Sequence, residues 1–181
     1  MRSTASVPYL RNVRSRRELL TCIAMGVTDD RVGRWNPHSA RPLGVAVTLR
    51  IPREIASVLT SLLAREVEIW LIGSRANGTA KETSDWDFVV FGGREVLAAL
   101  QREARVASLD LLVVVDDDTY IGPWPRVEDG EPKTGNWKLW KWQKLSEDQA
   151  TYEATKWADE DDYPDISTKR AVRVRRCQST A

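Results

Sequence analysis

Asp85 and Asp87 stand one residue apart at the head of an apolar run, Trp86-Asp87-Phe88-Val89-Val90-Phe91, and that pair restricts the folds open to the chain. Side chains on a strand alternate faces, so the two carboxylates point one way while Trp86 and Phe88 point the other, into a core. Like charges side by side repel, and each prefers to neutralise unless a cation sits between them. The pair closes a longer stretch, Val67 to Gly92. This reads as an apolar strand, a Gly73-Ser74 turn into a short helix, and the strand that carries the aspartates. A third apolar strand, Ser108 to Val115, follows a helical interval and brings Asp110. If it pairs with the aspartate strand, facing side chains about 4.5–5.5 Å apart let Asp110 reach the same ion. Mg²⁺ takes oxygen ligands, commonly one or two carboxylates plus substrate phosphates. The turn into a helix at Gly73-Ser74 presents backbone N–H groups that attract phosphate. One end of the stretch suits a phosphate, the other its metal.

Leu71-Ile72-Gly73-Ser74-Arg75-Ala76-Asn77-Gly78-Thr79, then Ser84-Asp85-Trp86-Asp87-Phe88, then Leu109-Asp110-Leu111 resembles the signature of the polymerase-beta-type nucleotidyltransferases, in particular the small "minimal nucleotidyltransferase" branch. The match covers about a third of the chain, and its order and spacing are specific. Asn77 stands where many small members carry Arg, and Trp86 where a small aliphatic is common. The resemblance implies an α+β (α/β-like) fold: a mixed β-sheet nucleotidyltransferase core with flanking helices and a C-terminal Trp-rich β/α extension. It implies transfer of a nucleoside monophosphate from an NTP, ATP among the candidates, to an acceptor hydroxyl. Asp85, Asp87 and Asp110 would be the catalytic residues and the ligands of two Mg²⁺ ions. Gly73, Ser74, Arg75 and Gly78 would form the phosphate site, Gly78 chiefly through backbone geometry. Acceptors in the family include aminoglycosides, RNA ends and proteins, and its small members include antitoxins that modify a tyrosine of a partner toxin. A protein or small-molecule acceptor is expected here ahead of a polynucleotide.

The rest of the 181-residue chain is read around that core. Residues 1–43 form an N-terminal segment of open role; within it Met25 is a candidate start, Arg17–Met25 a candidate short helix, and His38 a loop residue. Residues 44–160 are expected to be the nucleotidyltransferase domain, core 52–118 and extension 119–160, and 161–181 a basic tail. Gly44–Leu49 reads as a short strand. Pro52 opens a helix whose Ile55, Val58, Leu59, Leu62 and Leu63 form one stripe. Arg94–Arg105 is a second amphipathic helix, and Asp116-Asp-Asp118 a solvated turn. Tyr120–Val127 and Trp137–Lys144 read as strands joined by a Glu128–Gly135 loop. Ser146-Glu-Asp-Gln149 is a capping-box pattern opening a helix through Trp157.

Trp124, Trp137, Trp140 and Trp142 alternate with lysines in this region. That permits a base-stacking, nucleic-acid-binding reading beside the plainer one of a Trp-rich hairpin capping the sheet. A non-catalytic, antitoxin-like binding protein of the same fold is the other alternative. With a net charge of +1 the composition favours no nucleic-acid wrapper, although short basic clusters occur at Arg11–Arg17 and Lys169–Arg176. Cys22 and Cys177 read as free thiols in a reducing cytoplasm. No apolar run approaches the ~20 residues of a membrane span.

Overall fold

The computed structural model describes residues 51–156 and 165–175, together with the backbone at 26–27 and 45–46. Two short strands, β1 (Gly26–Val27) and β2 (Val45–Ala46), pair antiparallel, so the strand expected at Gly44–Leu49 is present as two residues. The expectations for Cys22, Cys177, His38, Met25 and the Arg11–Arg17 cluster fall outside the described residues.

From Arg53 onward the order is α1 (Arg53–Leu63), β3 (Glu68–Leu71), α2 (Gly73–Ala76), β4 (Trp86–Phe91), α3 (Gly93–Leu100) and β5 (Leu109–Val114). Then come β6 (Thr119–Pro125), β7 (Pro132–Asn136), a 3₁₀ turn (Trp137–Trp140), β8 (Gln143–Lys144), β9 (Gln149–Lys156) and β10 (Asp165–Val174). Strands β3 to β10 form one eight-stranded sheet in the order β7-β6-β5-β4-β3-β10-β9-β8. Only β4 and β5 are parallel among its pairs, and α3 supplies the crossover that a parallel connection requires.

Strand alternation gives the sheet two apolar faces. Ile69, Leu71, Trp86, Phe88, Val90, Leu111 and Val113 pack on one side, under the stripe of α1 and the Val96, Leu97 and Leu100 face of α3. Trp70, Val89, Leu112, Val114, Ala150 and Tyr152 form the other, where Trp137, Trp140, Trp142 and Phe91 cover them. The rings interlock: Trp70 and Trp142 meet edge-on with centroids 5.4 Å apart, and Trp140 stacks on Tyr152 at 5.2 Å.

Five expectations are corrected. The second helix ends at Leu100 and not at Arg105, so Ala104 lies in the connection to β5. The Glu128–Gly135 loop contains most of β7, and Trp137–Lys144 is a 3₁₀ turn that is strand only at its end, β8. Asn136 caps the 3₁₀ turn, its side chain accepting from the Lys138 N–H at 2.9 Å, and Lys141 ends it in the left-handed region at φ 43°. Three residues per turn put Trp137 and Trp140 on one side, and both reach the sheet. The extension accordingly has no α-helix among its described residues, because Ser146 forms a turn in place of a helix cap. Its Oγ accepts from the N–H groups of Asp148 and Gln149, and the chain then extends as β9. Most consequentially, the segment expected as a tail from 161 onward supplies β10, which lies between β3 and β9 inside the sheet. Ala171, Val172 and Val174 are buried, and the basic residues that suggested a solvated tail find acidic partners: Arg173 with Glu68, Arg175 with Glu147 and Asp148.

Candidate active site

The parallel register sets Asp87 on β4 directly opposite Asp110 on β5. Both alternate with residues of the helix-covered core, so their carboxylates belong to the aromatic face of the sheet, in step with Val89 and Leu112. Asp85 sits exposed one residue before β4 begins. The three expected acidic residues are thus neighbours at one end of the sheet. Asp87 and Asp110 are both half-buried, and the Asp87 carboxyl is pushed up to about 6, first by burial, then by the negative charge of Asp110 and, less, of Asp85. Burial and like charge both favour the protonated carboxyl, and a cation beside it would oppose that effect.

Gly73 shapes the other side. The Ile72 N–H donates to the Asp87 carbonyl at 2.9 Å, so the turn begins where β3 and β4 still run together. Gly73 then takes φ +67°, and a Cβ there would come within 2.1 Å of Asp87 Oδ2. Only glycine lets backbone and carboxylate approach this closely. The Gly73 N–H donates to the Tyr152 hydroxyl at 3.1 Å. That hydroxyl belongs to a buried ring stacked on Trp140 and Trp142, and burial, with Asp87 nearby, pushes its pKa up. Ser74 and Arg75 follow in α2, and Gly78 turns the chain at φ +71° with nothing near its missing side chain.

Arg75 faces the loop that carries Asp85. Its Nε donates to the Asp85 carbonyl at 3.1 Å and its Nη2 to the Ser84 carbonyl, while the guanidinium lies 4.1 Å from the centroid of Trp86. Trp86, the bulkier departure from the family pattern, is therefore the surface on which Arg75 rests. Asn77 has a different partner again. Its Nδ2 donates to the Gly73 carbonyl at 2.7 Å, and its Oδ1 accepts from the Arg170 N–H at 2.9 Å. The Arg170 guanidinium returns two bonds to the Ala76 carbonyl, and burial pulls its pKa down.

Asp110 is turned to Lys133, whose Nζ lies 2.8 Å from Oδ2. Among the described residues no three acidic, histidine or cysteine side chains converge as a closed metal cage. Hard oxygens on Asp85, Asp87 and Asp110 nevertheless suit Mg²⁺, which commonly takes one or two carboxylates and completes its shell with water and phosphate. Gly73's close approach leaves the Asp87 carboxylate against the turn.

Sequence reasoning missed Tyr152 and Lys133. Both lay inside segments read as other elements, Tyr152 in an expected helix and Lys133 in an expected loop. The Asp116–Asp118 turn is as expected, Asp116 Oδ1 accepting from the N–H groups of Asp118 and Thr119. The tryptophans expected on a hairpin pack against the sheet, and their neighbouring lysines pair with acids: Lys138 with Asp118, Lys141 with Glu153, Lys144 with Glu68.

A mixed sheet with two helices on one face, a Gly-Ser turn, Asp87 and Asp110 on adjoining strands and Asp85 just before the first of them is an arrangement compatible with nucleotidyl transfer. The sequence agrees: residues 52–174 match the family model described as "Nucleotidyltransferase domain", and the chain belongs to that family, as expected for a polymerase-beta-type member. No curated protein and no solved structure gives a significant match.

Proposed function

We propose that the protein transfers a nucleoside monophosphate from an NTP to an acceptor hydroxyl, releasing pyrophosphate, and that it stands in the minimal nucleotidyltransferase branch. The observation that carries this reading is the Asp87–Asp110 register beside the Gly73–Ser74 turn. Asp85, Asp87 and Asp110 would hold two Mg²⁺ ions, which neutralise charge on the attacking and leaving oxygens when bound. Ser74, with the backbone of the turn, holds the β and γ phosphates. Arg75 acts on the site by gripping the carbonyls of Ser84 and Asp85, which fixes where the Asp85 carboxylate stands. Asp110 takes the acceptor's proton as its oxygen bonds to the α-phosphorus and the bond to pyrophosphate breaks.

The acceptor is a protein or a small molecule ahead of a polynucleotide, and the site of action the cytoplasm. Among the described residues no helix is long and apolar enough to cross a membrane. Thermal stability with each NTP and Mg²⁺ tests the reading. A nucleotide at one hundred times its dissociation constant adds about 2.7 kcal/mol, and Ser74→Ala or Asp85→Asn should remove the gain. Stabilisation that survives both substitutions, or that no NTP produces, contradicts it.

A further inference from the structure

Asp85 and Asp110 also line a cavity of about 240 Å³ on the side away from the Gly73–Ser74 turn. Its existence follows from a break in the β6–β7 ladder. Ile121 pairs with Thr134, but the next pair is Pro125 with Pro132, so three residues of β6 oppose one of β7. Pro123 and Pro125 have no N–H to donate, and a strand with two prolines cannot keep its ladder there. The register shifts between Ile121 and Pro125; Gly122, Pro123, Trp124 and Lys133 all line the cavity beside that shift, and bulges of this kind recur beside active sites.

The charges around this space are unevenly committed. Arg105, Arg126 and Lys133 face it, against Asp85, Asp110 and Glu128. Lys133 is paired with Asp110 and Arg126 with Asp129, while Arg105 uses Nη1 on the Pro125 carbonyl at 2.9 Å. Both ion pairs are about half exposed, and such pairs contribute roughly 0–1 kcal/mol, so exchanging them for a ligand costs little. Once Asp85 and Asp110 are engaged on cations, as the proposed function requires, three basic groups remain against Glu128. Trp124 offers an apolar wall, its ring held by Nε1 donating to the Glu103 carbonyl at 3.0 Å.

We infer that this cavity is the acceptor pocket and that the acceptor is a small hydroxyl compound bearing a phosphate or similar anion, about the size of a sugar phosphate. The inference rests on the nucleotidyl-transfer reading. The hydroxyl lies at the Asp110 end, and Arg105, Arg126 and the Lys133 released from Asp110 hold the anion. A cavity of this volume falls below the ~300 Å³ at which drug-sized sites begin, which suits a compact ligand.

Calorimetric titration of ribose 5-phosphate and of ribose tests it, with Mg²⁺ and a saturating non-hydrolysable NTP analogue filling the triphosphate site. Ribose 5-phosphate should bind and ribose should not. Arg126→Gln and Arg105→Gln should each weaken the phosphate compound tenfold or more, with Arg105→Lys restoring part of the loss. Equal binding of the two sugars, or binding that ignores both arginines, overturns the anionic acceptor. Loss of the NTP analogue in the arginine variants overturns it too, by assigning the pocket to the nucleotide. If the analogue fails on the wild type while ribose 5-phosphate binds through the arginines, the transfer reading falls and the anion site stands.

Discussion

Asp87 carries the electrostatic strain of the site. Its folded pKa of about 6 lies above the ~3.9 of an unfolded aspartate. Between about pH 4 and 6 the folded chain therefore holds a proton that the unfolded chain has released. Stability falls as the pH rises through that window, and the whole cost is present above it. Asn is neutral and nearly isosteric, so Asp87→Asn should raise the metal-free melting temperature by a few degrees at pH 8 and leave it unchanged near pH 4. A lower or unaltered melting temperature at pH 8 would contradict the strain. Gly73 is the geometric counterpart. Gly73→Ala forces a side chain to φ +67° and into the Asp87 carboxylate. The backbone conformation alone costs about 1–3 kcal/mol, so denaturant titration should show at least that loss, together with loss of Mg²⁺·NTP stabilisation. Tyr152→Phe deprives the Gly73 N–H of its partner. An unsatisfied buried donor costs about 1–3 kcal/mol, and a variant as stable as wild type would show that water replaces the hydroxyl freely.

At the scale of elements, β10 holds the site to the sheet. It pairs with β3 and β9, and Asn77 ties it to α2 by bonding both the N–H and the carbonyl of Arg170. Asn77→Ala should cost about 1–3 kcal/mol by leaving the Arg170 amide unpaired. A chain ending at residue 163 should fail to fold, since β8 and β9 lose their connection to the rest of the sheet; a soluble, cooperatively melting truncation would contradict that. The order α1, β3, turn, β4, α3, β5 was legible because each signal is local: a helical stripe, apolar runs, glycines at the turns. The half built from β9 and β10 was not. Ala150 and Ala154 are four residues apart, a spacing that shares a face on a helix and on a strand alike, so periodicity does not separate the two. The basic run of β10 is neutralised by Glu68, Glu147 and Asp148, remote in sequence, and a charge count along the chain cannot see such partners. For the same reason the site's aspartates and glycines were named from the sequence, while Tyr152 and Lys133, delivered by distant strands, were not.

At the scale of the whole molecule, the two faces of the sheet divide the work. Helices close one face, and tryptophans fill the other as far as the carboxylates, where Tyr152 links the aromatic layer to the Gly73 turn. A rigid aromatic floor on one side and the β6–β7 bulge on the other leave the Asp87–Asp110 end as the place where nucleotide and acceptor would meet. Asp87 as a metal-holding carboxylate is thus the central element of the proposed site. Calorimetric titration of Mg²⁺ with a non-hydrolysable NTP analogue into wild type and Asp87→Asn, at pH 5 and pH 8, addresses this most directly. Wild type should bind at least tenfold more tightly than Asp87→Asn at pH 8, with the advantage shrinking at pH 5 as the carboxyl takes up its proton. Equal affinities of the two proteins at pH 8 would contradict it.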